Sequence, residues 1–386
     1  MPEQTTTPSA AGSAIDPRRA SSASRDTAGA SGDRDARDAA RRDPESAAER
    51  TLRRRRLLTG RGAIMIYALL GTLIVCALTV PRFASVQTTG FLLLDAIPIL
   101  MIAMPMALVI ITGEIDLSVA STAGLTSAAM GVLWAAGWGI PEIFVVCVLI
   151  GIGCGALNGL LVTAIGLPSL AVTIGTLALY RGLALVVIGD NAVADFPPAL
   201  TSFFTSKIGA TGIPTAMIGV AVIIAFFGVL LHFSSFGRTL PAIGFSKEAA
   251  SFVGVHVGRA KFWMFVATGV VSALVGIYWT LRYSSARSDN ATGIELAVIA
   301  AVLLGGVSIF GGRGSIPGVV AGVLIISSVS YALRLGGISD VVLNVVTGLL
   351  LVGSVVTPSL IAVIREKRRA RRAARDVLAA SAADAA

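Results

Sequence analysis

Phe236-Gly-Arg-Thr-Leu-Pro-Ala-Ile-Gly-Phe-Ser-Lys-Glu-Ala-Ala-Ser-Phe-Val-Gly-Val-His-Val-Gly-Arg-Ala-Lys261 is the longest basic polar interruption in a chain that is otherwise almost continuously apolar from Ala63 to Thr357. It carries Arg238, Lys247, Arg259 and Lys261 against Glu248 alone. Such an excess of Lys and Arg beside membrane segments marks the cytoplasmic side. Within it, Ser246 to Gly254 reads as one short amphipathic helix. Ser246 is placed to cap it, Glu248 sits in the first turn where the helix dipole favours a carboxylate, and Gly254 suits a left-handed stop. Two turns of helix are too short to be stable alone, so this element needs a surface to lie on. The small pair Ala249 and Ala250 would let a partner approach closely, although a plain surface helix would use the same residues.

Working outward, hydrophobic residues make up 55% of the 386 positions and charged residues 14%, which excludes an ordinary soluble domain. Runs of about 20 apolar residues cross a bilayer core of roughly 30 Å. Such runs fall near 63 to 80, 91 to 111, 117 to 136, 142 to 165, 168 to 188, 215 to 233, 262 to 280, 294 to 310, 315 to 334 and 339 to 357. The expectation is an all-α polytopic membrane protein of about ten transmembrane helices, with broken or tightly turned helices near a pathway. An even count puts both basic tails, and the 236–261 loop after the sixth span, on the inner side.

The net charge of +9 does not indicate nucleic acid. Residues 1 to 61 hold 13 basic side chains against 9 acidic, and residues 365 to 386 hold 7 against 3, which leaves the remainder near neutral. The basicity sits in two tails that fix topology and can touch anionic lipid, without the interleaved aromatics of a nucleic-acid surface. Residues 1–62 form a tail with too few large apolar side chains for a core and are expected to be disordered. Residues 63–358 form the membrane domain, and 359–386 a second basic cytoplasmic tail. Arg53 to Arg56 before the first apolar run permits a signal peptide, but the length of that run and the missing cleavage site favour a retained first span.

Cys76, Cys147 and Cys154 lie in apolar runs and His232 and His256 stand apart, so no metal site is expected. No nucleotide loop, nucleophile elbow or zinc-protease motif is present. The chemistry-bearing residues are therefore the ionisable and polar groups inside the membrane, where burial is expensive. Glu114 and Asp116 lie two apart between apolar runs, with Asp116 and Ser118 forming a good helix start. Arg181 lies in the fifth span and Asn158 in the fourth, beside Gly155 and Gly159. Arg287, Asp289 and Asn290 supply donors and acceptors suited to sugar hydroxyls on the most polar outer segment, though a solvated loop would use the same residues. Gly305, Gly306, Gly311, Gly312 and Gly314 surround Arg313 in a second interruption. Non-helical backbone at membrane depth survives only where protein or a water-filled cavity satisfies it, so both interruptions mark broken helices or very tight turns. Each is followed by a span that Ser118 or Ser315 is placed to cap, a likeness that suggests a distant parallel duplication.

Four stretches in order and register carry a resemblance: Gly113-Glu-Ile-Asp-Leu-Ser-Val-Ala-Ser121, Leu167-Pro-Ser-Leu-Ala-Val-Thr-Ile-Gly-Thr-Leu-Ala-Leu-Tyr-Arg-Gly182, Ala242-Ile-Gly-Phe-Ser-Lys-Glu-Ala-Ala250 and Leu303-Leu-Gly-Gly-Val-Ser-Ile-Phe-Gly-Gly-Arg-Gly-Ser315. Together the chain resembles the ribose-type monosaccharide ABC permeases from about residue 63 to 358. Ser285 to Asp289 looks most like the autoinducer-2 and rhamnose branch. The resemblance implies a non-catalytic permease subunit in the cell membrane that pairs with a second permease chain, identical or paralogous. It implies an ATP-binding subunit docked on Ser246, Lys247, Glu248, Ala249, Ala250 and Gly254, and an extracytoplasmic binding protein that delivers the ligand. ATP and Mg would be bound by the partner and no cofactor by this chain. Glu114 departs from the resemblance, since ribose-type members usually have glycine there, and so does the long N-terminal tail. Readings left open are a permease for a nucleoside or branched-chain amino acid, and a secondary transporter driven by protons through Glu114 and Asp116.

Overall fold

The computed structural model describes residues 61–339 and, beyond them, part of the stretch 341–366. The expectations for residues 1–60 and for most of the C-terminal tail lie outside the described residues. Among those described, the chain is helical, with isolated bridges Val193 to Ala286 and Lys207 to Pro214 in place of strands.

The helix at the centre is α2, Val86–Ile111, buried along nearly its whole length even though Pro98 and Pro105 interrupt its hydrogen bonding. The Ser85 hydroxyl accepts the Thr88 N–H at 3.1 Å to start it. At about 1.5 Å per residue its 26 residues exceed the thickness of a hydrocarbon core. α3, Val119–Ala135, α4, Ile140–Thr163, and α5, Ser169–Ile188, pack on one another and, through α3 and α4, on the helix Val257–Tyr283 that lies against α2. The C-terminal side adds α10, Val257–Tyr283, α11, Ile294–Leu304, and α12, Ile316–Leu335, while α1, Arg61–Thr79, packs on α12. The remaining elements are α6, Pro198–Thr205, α7, Met217–Phe233, α8, Ser235–Phe245, and α9, Lys247–Phe252.

α4 and α10 touch backbone to backbone. A Cβ on Gly155 would stand 2.3 Å from the Phe265 carbonyl oxygen, and one on Gly269 would stand 2.2 Å from that of Gly151. Only glycine permits this approach, which is how small residues build helix pairs in lipid. Faces turned outward stay apolar, with Leu78, Val186, Phe226 and Val229 exposed as a lipid-facing surface requires.

By length and composition α2, α4, α5, α10 and α12 can each cross a membrane, and α7 with α8 form a sixth, bent by 71° at their junction. The stretches expected as spans from 63 to 334 fall on α1 to α5, α7 and α10 to α12, but the apolar helices in α1, α3 and α11 are shorter than a full span, so five or six of the ten expected spans are long enough among the described residues. The expected span at 339 to 357 falls where the structure is only partly described. Two boundaries differ. The span expected to reach 310 stops at Leu304, because Gly305 and Gly306, the latter at φ +90°, end α11. The 236–261 stretch is not one loop carrying one helix. It opens with α8, started by the Ser234 hydroxyl accepting the Gly237 N–H at 2.9 Å, and α10 has begun by Val257.

Candidate functional site

The site is built on the break between α2 and α3. Gly113, at φ +82°, turns the chain, and residues 114 to 117 then run without regular structure to Ser118, which already has helical backbone angles. α5 satisfies both backbone groups of Ile115: its N–H donates to Ser169 Oγ at 3.2 Å, and its carbonyl accepts from Thr173 Oγ1 at 3.3 Å. Asp116 Oδ1 accepts the Ser118 N–H at 3.0 Å and the Ser118 hydroxyl at 2.7 Å, while Oδ2 lies 2.7 Å from Thr268 Oγ1 on α10. Asn158 Nδ2 on α4 donates to Ser118 Oγ at 2.7 Å, and the Tyr180 hydroxyl donates to the Cys154 carbonyl at 2.9 Å. Protein groups thus supply what water would have supplied, and the irregular backbone persists at depth. The start of α3 differs from expectation. Asp116 supplies the acceptor, while Ser118 makes no side-chain cap because its hydroxyl is turned back to that carboxyl.

Glu114 and Asp116 take separate partners. Glu114 Oε1 meets Lys261 Nζ of α10 at 2.5 Å and Lys247 Nζ of α9 at 3.1 Å. Glu114 and Lys261 are both buried, whereas Lys247 is half exposed. Burial is the strongest single influence on the Glu114 carboxyl and pushes it up. The opposing hydrogen bonds from Lys261, Ser169 and Lys247, with the Lys261 charge, outweigh it and hold the carboxyl below its ordinary range.

On α9 the Ser246 hydroxyl accepts the Ala249 N–H at 3.1 Å, and Glu248 lies in the first turn, as the sequence implied. Its own backbone N–H and then the Ser246 hydroxyl hold the exposed Glu248 carboxyl below the ordinary range. Ala250 is buried and Gly254, at φ +83°, turns the chain away. Phe252 and Val253 are left 92% and 78% exposed, an apolar tip on a helix anchored by its other face.

The second break, 305 to 315, closes on the first. The Ser308 N–H donates to the Arg313 carbonyl at 2.9 Å, and the Gly312 N–H donates to the Ile111 carbonyl at the end of α2 at 2.8 Å. Gly244 of α8 is wedged between them, for a Cβ there would stand 2.0 Å from Ile111 O and 2.3 Å from Gly312 N. All five predicted turn glycines, Gly305, Gly306, Gly311, Gly312 and Gly314, lie in this break. Arg313 stacks over the Phe245 ring at 5.6 Å, and a cavity of about 390 Å³ opens between Pro241, Gly305, Gly306, Arg313 and Ser315. Ser315 makes no side-chain cap on α12. His232 Nε2 instead accepts the Ile316 N–H at 3.3 Å.

The other candidates sit at the opposite end. Arg181 donates to the carbonyls of Ser288 and Asn290 at 2.5 and 3.1 Å, and Asn290 Nδ2 donates to Ser127 Oγ at 2.8 Å. Arg287 and Asp289 form an exposed pair with contacts of 2.7 and 2.9 Å. The sequence-selected residues therefore form three groups: Glu114 with α9 and the glycine break, Asp116 with Asn158, and Arg181 with the 287–290 segment. Sequence reasoning passed over Asp95 of α2, which pairs with Arg282 of α10 and with Arg334 of α12, the latter at 3.1 Å. An acid inside the apolar run Phe91 to Met104 was the available signal.

Among the described residues, an all-helical bundle with two breaks meeting at one end, buried polar groups and apolar outward faces is a multi-pass membrane protein. Residues 88–355 match the family described as the branched-chain amino acid transport system / permease component, and the chain belongs to that family of permeases. It is 34% identical over 286 residues to the autoinducer 2 import system permease protein LsrD of Klebsiella pneumoniae, covering 72% of this chain and 86% of that one. The proteins of the same name in Enterobacter sp. and Photorhabdus laumondii are 33% and 32% identical, covering 72% of this chain and 87% and 85% of theirs. No solved structure matches the chain. The protein is a permease component, a transport subunit rather than a catalyst.

Proposed function

We propose that this chain is the membrane-spanning subunit of a binding-protein-dependent ABC importer. It carries a monosaccharide or sugar-like small molecule, of the autoinducer-2 or rhamnose type, across the cytoplasmic membrane. In this reading the chain crosses the membrane ten times with both termini inside, pairs with a second permease subunit, and receives its ligand from an extracytoplasmic binding protein. ATP and Mg are held by a separate ATP-binding subunit that docks on α9. The observation that carries the reading is the linkage at α9. Its apolar tip faces out while Lys247 at its base is paired to Glu114 on the first break. A partner that moves α9 therefore moves the end of α2, and a change of partner contact between two states is what coupling requires.

The test is co-purification with the candidate ATP-binding subunit, comparing wild type with Phe252→Ser, Val253→Ser. The double variant is expected to lose at least ~10-fold in retained partner, since a central apolar anchor is commonly worth ~2 kcal/mol or more. Its elution in detergent should not change. Full retention of the partner by the variant would sink the docking reading.

The family description favours a second substrate, a branched-chain amino acid. Competition of labelled sugar uptake by leucine, in vesicles holding the whole assembly, separates the two. A proton-driven secondary transporter would instead take up solute with no ATP-binding subunit present. The fixation of Glu114 between two lysines weighs against that carboxyl as a proton carrier.

A further inference from the structure

We propose that Asp116 is a neutral, protonated carboxylic acid that donates a hydrogen bond to Thr268, and that this bond positions the first break against α10. Two observations carry it. The first is the lack of a counter-charge. Asp116 is 1% exposed, and among the described residues no Lys, Arg or His lies within ion-pair distance of it. An isolated carboxylate in such a place is far costlier than a neutral acid. The groups packed around it cannot repay that cost. Ser118 begins α3, Asn158 and Cys154 come from α4, Tyr180 from α5, and all are uncharged. Lys261 stands two turns below Thr268 on α10 and is committed to Glu114, a group of the same sign as an ionised Asp116.

The second observation is a proton count. Thr268 Oγ1 lies 2.7 Å from Asp116 Oδ2 and 2.8 Å from the Phe265 carbonyl oxygen. A hydroxyl has one hydrogen to donate, and the carbonyl can only accept. If Asp116 were ionised, both neighbours would compete for that one hydrogen. With the acid proton on Oδ2, Asp116 donates to Thr268, and Thr268 donates to Phe265, so both contacts are hydrogen bonds. Oδ1 remains free to accept the Ser118 N–H and hydroxyl, as its 3.0 and 2.7 Å contacts require. Asp116 is on this account a positioning residue. It joins the segment between α2 and α3 to α10 without placing a charge in the protein interior.

The test uses the full-length protein in lipid nanodiscs at neutral pH. Infrared difference spectra compare wild type with Asp116→Asn, and with Glu142→Gln as an exposed-acid control. The expected result is a protonated-carboxyl carbonyl stretch that shifts in D2O, is missing from Asp116→Asn and persists in Glu142→Gln. Equal wild-type and Asp116→Asn spectra in that region would mean that the acid is ionised, and the proposal would be overturned. Heat stability supplies the second readout. An amide can accept at Oδ1 and donate from Nδ2 toward Thr268, so Asp116→Asn should melt close to wild type while Asp116→Ala melts much lower. An Asp116→Asn protein as unstable as Asp116→Ala, or one that does not fold, overturns the proposal equally. Neither readout depends on the transported substrate or on a partner subunit, so failure of the importer reading leaves both interpretable.

Discussion

At the scale of the residue, Glu114 decides most. Replacing it by Gln removes both ion pairs and leaves Lys261 buried and uncompensated, a change that costs about 3–5 kcal/mol in buried pairs. Glu114→Gln is therefore expected to lower the melting temperature in detergent markedly, and adding Lys261→Met should recover most of the loss by removing the stranded charge. The pH dependence follows from the depressed carboxyl. A group whose folded pKa lies below its unfolded value contributes stability above the unfolded value, near 4.5, and loses it as the pH falls through the folded one. The gap between wild type and Glu114→Gln should thus be full at neutral pH and narrow in acid below about pH 4. A gap that persisted undiminished well below pH 4 would contradict the ion-pair assignment. The sequence showed that Glu114 was out of place among apolar neighbours, but could not show its partners. Lys247 and Lys261 lie 133 and 147 positions away, and nothing local selects them.

At the scale of the element, the two breaks and α8 form one joint through Gly244. Gly244→Ala would set a methyl group against Ile111 O and Gly312 N, both backbone atoms that cannot rotate away. Its expected effect is loss of uptake and a lower melting temperature, whereas Gly175→Ala, facing open space on α5, should leave both near wild type. Equal behaviour of the two variants would show that the joint is looser than its geometry. Helices were legible wherever apolar runs were long, and the breaks were legible from Glu114, Asp116 and the glycines. α8 was not, because Gly237, Pro241 and Gly244 are residues that disfavour a helix interior. It forms by packing Leu240 and Ile243 into the core, where both are buried, and tertiary packing of this kind overrides local propensity. The same limit hid Asp95, whose partners Arg282 and Arg334 lie on α10 and α12.

At the scale of the whole molecule, the elements alternate in direction, so the 111–118, 163–169, 233–257 and 304–316 segments share one end. The proposed orientation puts that end inside. Because Cys76, Cys147 and Cys154 are all buried, single new cysteines report cleanly on sidedness. Ser251→Cys should react with a membrane-impermeant maleimide only in inverted vesicles, and Thr211→Cys only in intact cells. The reverse pattern would overturn the topology and, with it, the placement of the docking helix. Charge bias in the tails and in the 236–261 stretch is what the sequence offers toward this proposed orientation. The division of the candidate residues between two ends and a middle was not readable, since distance across a bundle leaves no trace in a linear order.

The ion pair between Glu114 and Lys261 also sets an order of assembly. The carboxylate leaves the ribosome 147 residues ahead of its buried partner, so several spans must enter the bilayer while it has no counter-ion. The nascent chain therefore carries an acid without its partners until α9 and then α10 arrive. A chain cut short before Lys247 lacks both partners of Glu114, and is expected to be cleared from the membrane faster than one extended past Lys261, which a pulse-chase of the two truncations checks.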